Sequence, residues 1–418
     1  MYRKTTLANG VRVITEAMPY VRSASLGIWA DVGSAAERSE QRGISHLVEH
    51  MLFKGTQRRS AREIAETMDA VGGNLNAFTD KESTCYYAKV IDHHVPLAID
   101  VLADMFLHST FAPGELAKEQ NVVLEEIRMY DDSPDDIIFE TFTRMMWNGS
   151  ALGEPTIGYA GTVSALTSDD LREHLRVHYA PNAIVFAAAG NVEHDAIVEL
   201  VARAFTELDG RAQLPVPQRP RTTPQTVVRT KDTEQAYIVL GARGLGACDE
   251  RRYALSVLDT ILGGGMSSRL FQEVREKRGL AYSVYSFQQT YRAAGLFGVF
   301  AGTSPERAQE CVDVMAGELA DFARTGPAES EVTLAKEHIK GSLTLSLESS
   351  SGRMLRLGRS EFAHGRQHSI EEIEARFDAV TGDDVAALAG ELLVPEAIGL
   401  CVLGPLDADA IRGLRHAA

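Results

Sequence analysis

Ala165-Leu166-Thr167-Ser168-Asp169-Asp170-Leu171 is echoed later in the chain by Ala379-Val380-Thr381-Gly382-Asp383-Asp384-Val385. The same shift of 214 residues, Ala165 to Ala379, carries Ala180-Pro181-Asn182-Ala183-Ile184 through Gly190 onto Val394-Pro395-Glu396-Ala397-Ile398 through Gly404. It also carries Asp195-Ala196-Ile197 onto Asp409-Ala410-Ile411. Each copy reads as a helix capped by Thr or Asp, an apolar strand, a Gly turn and a final helix. One shared segment is compatible with coincidence. Three in a single gapless register imply duplication of a domain of about 200 residues.

A chain of 418 residues is too long for one core, which agrees with two such domains. The stretch Asp209-Gly210-Arg211-Ala212-Gln213-Leu214-Pro215-Val216-Pro217-Gln218-Arg219-Pro220 has three prolines and no apolar periodicity, as a linker does. The expected domains are therefore residues 1–209 and 223–418, with 210–222 between them. In the first half, Arg12 to Thr15, Ser23 to Ala30, Asn74 to Thr79, Thr84 to Val90 and Ile184 to Ala189 read as strands, with helices between. Strands often follow strands directly. The fold class is therefore α+β: two homologous domains, each a mostly antiparallel sheet packed with helices.

Hydrophobic content of 44% and charged content of 24% are those of a soluble globular protein. The net charge of −16 argues against nucleic acid and anionic lipid as partners and permits attraction of basic peptides. No apolar run is long enough for a membrane span. Met1-Tyr2-Arg3-Lys4-Thr5-Thr6-Leu7 enters strand-like sequence without the apolar core of a signal peptide or the length of a transit peptide, so a cytoplasmic location is expected. Cys85, Cys248, Cys311 and Cys401 are scattered, without metal or disulfide spacing, and read as buried free thiols.

The chemistry is concentrated in Gly43-Ile44-Ser45-His46-Leu47-Val48-Glu49-His50-Met51-Leu52-Phe53. His46 and His50 stand four apart in a helical pattern, one above the other on one face, where both imidazoles can ligate one zinc ion. Glu49 shares that face and can take the proton of a metal-activated water. The pattern is H-x-x-E-H, the zincin motif in reverse. Downstream, Pro113-Gly114-Glu115-Leu116-Ala117-Lys118-Glu119-Gln120-Asn121-Val122-Val123-Leu124-Glu125-Glu126-Ile127 opens with a helix-starting proline. Val122, Val123 and Ile127 form its expected apolar stripe, and Glu119 and Glu126 lie two turns apart on one face. A catalytic zinc keeps three protein ligands.

This combination resembles the pitrilysin/insulinase family of zinc peptidases, closest to its short members, the mitochondrial processing peptidase subunits and their bacterial relatives. The likeness runs along the whole chain with no departure at a catalytic position. It implies a metalloendopeptidase with one Zn2+ per chain, held by His46, His50 and Glu126. Glu49 is then the catalytic base and Glu119 assists the site. It also implies that Asn76, Ala77 and Phe78, within Gly72-Gly73-Asn74-Leu75-Asn76-Ala77-Phe78-Thr79, form an open sheet edge to which the substrate adds as a strand.

The second half carries no histidine pair in Tyr253 to Leu262, where the counterpart of the His46 helix falls, so it keeps the scaffold without the metal. Gly263-Gly264-Gly265 lacks the Lys-Ser/Thr of a phosphate loop; it reads equally as a helix stop before a Ser267 cap and as a flexible substrate-contacting loop. In Arg275-Glu276-Lys277-Arg278-Gly279-Leu280-Ala281-Tyr282 the resemblance implies that Arg275 and Tyr282 bind substrate and face the zinc across a closed chamber. Tyr282 would donate to the carbonyl oxygen as charge develops on it.

The expected partner is a peptide or unfolded segment. The acidic run at Glu125, Glu126, Asp131, Asp132, Asp135 and Asp136 is either a solvated helix end or a wall that selects basic side chains. Two domains match half of the family's four-domain clamshell, so two chains should close one chamber. A homodimer is expected because one chain carries both the metal motif and the Arg/Tyr pair. The alternative is a non-catalytic or partner subunit of a heterodimeric complex. His174 and His178 read as an ordinary surface pair.

Overall fold

Side-chain alternation along the central strands determines where the helices pack. A computed structural model describes residues 2–217 and 219–412; Met1, Gln218 of the expected linker and 413–418 of the expected second domain lie outside the described residues. The first sheet contains β1 (Tyr2–Thr6), β2 (Arg12–Ala17), β3 (Ser23–Ala30), β4 (Asn74–Thr79), β5 (Thr84–Ile91) and β6 (Ile184–Gly190), in the order β1-β2-β6-β3-β5-β4. Only β2 and β6 run parallel.

In β3, Ala24, Leu26, Ile28 and Ala30 join one core. That core includes Leu47 and Val48 of α1 (Ile44–Leu52), Ile64 and Met68 of α2 (Ala61–Asp69) and Leu102 of α3 (Val95–His108). Trp29, on the opposite face, is fully buried with Val185, Ala187, Met354 and Leu357. A strand covered on both faces loses the polar-out half of its alternation and reads as continuously apolar.

The second sheet contains β7 (Thr226–Thr230), β8 (Ala236–Gly244), β9 (Ala281–Thr290), β10 (Gly295–Thr303) and β11 (Gly399–Gly404), in the order β7-β11-β8-β10-β9. Only β7 and β11 are parallel. This is the arrangement of the first sheet without β1. The echoed segments coincide in structure as well. Thr167 and Thr381 each cap a helix by accepting from the backbone of Asp170 and Asp384, whose side chains return a bond to the cap.

The expected linear boundaries at 209 and 223 do not describe the packing. The chain up to Arg128, Glu154–Val216 and Ser346–Gln367 form one compact unit, and Met129–Gly153, Pro217–Leu345 and His368 onward form the other. Thus α5 (Pro134–Met146), following α4 (Pro113–Asp132), packs on β8 and β11, while the helix Ser350–His364 packs on β2, β3 and β6. Each half lends a helix to the sheet of the other. Equivalent glycines seat the exchanged helices. A Cβ at Gly27 would lie 2.6 Å from Met354 Sδ, and one at Gly241 2.6 Å from Phe142 Cζ. Ion pairs fix the helix Ser350–His364: Arg353 with Glu16, and both Lys4 and Arg12 with buried Glu361.

Cys85, Cys311 and Cys401 are buried free thiols, but Cys248 is exposed, contrary to expectation. Among the described residues no helix is long and apolar enough to cross a membrane.

Candidate metal centre

The apolar residues of α1 decide which of its faces is left for chemistry. Ile44, Leu47, Val48, Met51 and Leu52 are buried at helical spacing. This turns His46, Glu49 and His50 to the opposite side. In α4, Leu116, Glu119 and Val123 are buried at i, i+3 and i+7, and Glu126 follows one turn later on the same face. The expected stripe is corrected at Val122, which is exposed, while Val123 is fully buried and Ile127 packs partly against the core.

The Nε2 atoms of His46 and His50 each lie 3.7 Å from Glu126 Oε2. One ligand atom from each residue falls within 4.8 Å of the others, and among the described residues this is the one cluster of three such groups that could hold a metal. Burial, reinforced by neighbouring His50, pushes the His46 pKa down to about 3. A neutral imidazole at 3.7 Å from a carboxylate makes neither an ion pair nor a hydrogen bond. The convergence of lone pairs calls for a cation. Tetrahedral zinc with bonds of about 2.0–2.2 Å has ligand–ligand edges of about 3.4 Å, close to what is found here. The residues therefore fit the ion.

The surrounding groups fit it too. Glu119, only 5% exposed, sits with Oε2 3.2 Å from His50 Nδ1 and Oε1 2.7 Å from Lys54 Nζ. A carboxylate on the far nitrogen of a ligating histidine fixes its tautomer and ring orientation. Glu49 accepts a hydrogen bond from Thr79 Oγ1 at the end of β4. Burial raises the Glu49 carboxyl pKa, opposed by the Thr79 hydrogen bond. Burial raises that of Glu126 as well, opposed by His50.

Comparison with known proteins gives the family. The profile described as "Insulinase (Peptidase family M16)" matches residues 12–159, and "Peptidase M16 inactive domain" matches residues 165–339. An uncharacterized zinc protease of Streptomyces coelicolor is 46% identical over 419 residues, 98% of this chain and 91% of that one. The uncharacterized zinc protease YmxG of Bacillus subtilis is 43% identical, covering 97% of this chain and 98% of its own. The chain belongs to the insulinase (M16) peptidase family. Two solved structures share its fold, each covering 97% of this chain and 99% of the other. One, described as a peptidase M16 inactive domain from Pseudomonas fluorescens, has a TM-score of 0.91 at 21% identity. The other, a protease from Helicobacter pylori, has a TM-score of 0.90 at 23% identity.

In this M16 chain β4 is the outer strand of its sheet, pairing only with β5. Asn76, Ala77 and Phe78 therefore stand at an edge, and Thr79, next in line, touches α1 through Glu49. In the second unit Arg275 lies on a π-helical turn, Phe271–Lys277, a form found often at functional sites. Its guanidinium is stacked 4.7 Å from the Phe271 ring and 4.4 Å from the Tyr282 ring, and it donates to the Tyr282 carbonyl oxygen at 3.0 Å. Tyr282 itself is 76% exposed at the start of β9, the outer strand of the second sheet. Gly263 ends its helix, as one of the two readings required, but the next helical turn has Leu270 rather than Ser267 at its N-cap; a Cβ at Gly263 would lie 2.1 Å from Ser286 N.

One expectation is corrected. His174 is buried, with its pKa pushed by burial to about 3, so it is a core histidine rather than half of a surface pair. Of the two readings of the acidic run, the solvated helix end is favoured at three acids: Asp135 and Asp136 occupy the first turn of α5, where the helix dipole favours acids, and Glu125 pairs with Arg128.

Sequence reading did not find Thr79, Lys54 or Glu37 beside this site. It also did not find a helix–strand contact in the second half. The helix Arg252–Gly263 packs on β9 as α1 packs on β4, and Asp259 Oδ2 accepts from Gln288 of β9 at 2.9 Å, as Glu49 accepts from Thr79.

Proposed function

We propose that the chain is a zinc-dependent endopeptidase that hydrolyses peptides or unfolded polypeptide segments inside a closed chamber. The observation that carries the reading is the convergence of His46, His50 and Glu126 on one point, with Glu49 on the same helix face as the two histidines. One ion per chain, held by those three residues, supplies a nucleophilic water near neutral pH and polarises the scissile carbonyl.

Glu49 takes the proton of the attacking water and hands one to the leaving amine. Glu119 holds His50 in the ligating tautomer, so it is a positioning residue. The free side of β4 at Asn76, Ala77 and Phe78 offers main-chain pairing that would hold a substrate extended, as added strands are held at sheet edges. Tyr282, oriented by Arg275, would donate to the developing oxyanion. Two copies would close the chamber, and folded proteins would be excluded from it.

The test is incubation with a mixed peptide library, with and without a chelator, read by mass spectrometry. Fragments from internal cleavage that vanish with chelator and return with zinc are expected. Absence of fragments from zinc-loaded protein, or fragments indifferent to chelator, would overturn the proposal.

A further inference from the structure

The helix that carries both histidines begins without a cap of its own. Its N-cap residue is Gly43, at φ +96°, in the left-handed region. A Cβ at Gly43 would lie 2.5 Å from the Ile157 carbonyl oxygen, so no Ser, Thr or Asp can take the place. The first backbone N–H groups of a helix still need acceptors. A carboxylate six residues upstream provides them. Glu37 Oε2 accepts from Gly43 N and Glu37 Oε1 from Ser45 N, each at 2.8 Å. Glu37 is 7% exposed, and burial pushes its pKa up while the two backbone bonds pull it down. Charge-assisted bonds and the positive end of the helix dipole offset the desolvation of that carboxylate.

The same loop is tied to the other side of the site. Ser34 N donates to the Asp80 carbonyl oxygen at 3.1 Å and Ala35 N to that of Lys81 at 2.8 Å, directly after Thr79. Arg42 Nη1 donates to the Ser34 carbonyl oxygen at 3.0 Å. Glu37 thus stands between the end of β4 and the first turn of α1, in which His46 is the third residue.

We infer that Glu37 is a positioning residue for the metal centre: its bidentate grip on Gly43 and Ser45 sets the axial and rotational placement of α1, and so the distance from His46 to Glu126. The inference rests on the zinc reading above. It requires that zinc affinity depend on Glu37, although Glu37 touches neither the ion nor substrate.

Zinc affinity is measured by competition with a chromophoric chelator for the wild type, Glu37→Ala, Glu37→Gln and Ser60→Ala. Ser60 caps α2, a helix outside the site, and accepts from Glu63 N. A cap lost there lowers stability without touching α1. Glu37→Ala should raise the zinc dissociation constant about 10- to 100-fold, the usual effect of removing an outer-sphere partner. Glu37→Gln, which keeps one acceptor, should fall between it and the wild type. Ser60→Ala should bind zinc as the wild type does. If Glu37→Ala is recovered only as aggregate, Glu37→Gln carries the test. Folded Glu37 variants with wild-type affinity would overturn the inference and leave the zinc site standing, and so would equal weakening in Ser60→Ala. A wild type that binds no zinc would overturn both.

Discussion

The carboxylate of Glu49 faces β4 on one side, through Thr79, and His50 and Glu126 of the candidate metal cluster on the other. That position argues for two separable losses. Glu49→Gln is nearly isosteric and should keep fold and zinc while cleavage falls by about 10²–10⁴, the range for removing a general base. Retained turnover with the zinc still bound would assign the proton transfer to another group. Thr79→Val keeps the shape and removes the hydrogen bond to Glu49. A bond to a charged acceptor is worth about 1.5–3 kcal/mol, so kcat/KM should fall about tenfold or more, with zinc content unchanged. An unchanged kcat/KM would make that contact incidental. At this scale the sequence was legible wherever the relation was local. His46, Glu49 and His50 follow from one helical period. The contacts of Thr79, Lys54 and Glu37 do not, because each joins the site through a turn or a strand pairing whose geometry no periodicity records. Glu126 was reached only through the family resemblance.

Among the elements, the strands were the most legible. β3 and β4 have the expected limits, and β2, β5 and β6 extend past theirs by one or two residues, since apolar and β-branched runs bounded by turns leave few alternatives. What a helix covers was not legible. The apolar face of α5 or of Ser350–His364 shows that a sheet must receive it, without showing which sheet. Close packing at that interface gives a graded prediction. A Cβ at Gly358 would lie 2.2 Å from Trp29 Cε2, whereas one at Gly27 would meet the thioether of Met354. Trp29 is rigid and fully buried; Met354 is unbranched and can change rotamer. Gly358→Ala should therefore cost about 1–3 kcal/mol and Gly27→Ala distinctly less, as read from denaturant midpoints at constant m-value. Equal midpoints would mean that Trp29 is free to move.

For the whole molecule, the duplication was plain from a constant shift of 214 residues, Ala165 to Ala379, while the exchange of helices left no sequence mark. The exchange has a measurable consequence. A fragment of residues 1–209 lacks Ser350–His364 and leaves the Trp29 face of its sheet bare. It should aggregate or lose its near-ultraviolet dichroism, and appending residues 346–367 should restore a cooperative unfolding transition. A fragment that unfolds cooperatively by itself would show that the borrowed helix is dispensable.

The side chains of His46, His50 and Glu126 converge on one point that would hold a single ion. The most direct measurement is metal content after purification, by mass spectrometry of the wild type and Glu126→Gln side by side. Close to one zinc per chain is expected in the wild type, and most of it should be absent from a correctly folded Glu126→Gln. Full zinc in the variant, or none in the wild type after incubation with zinc, would contradict the account.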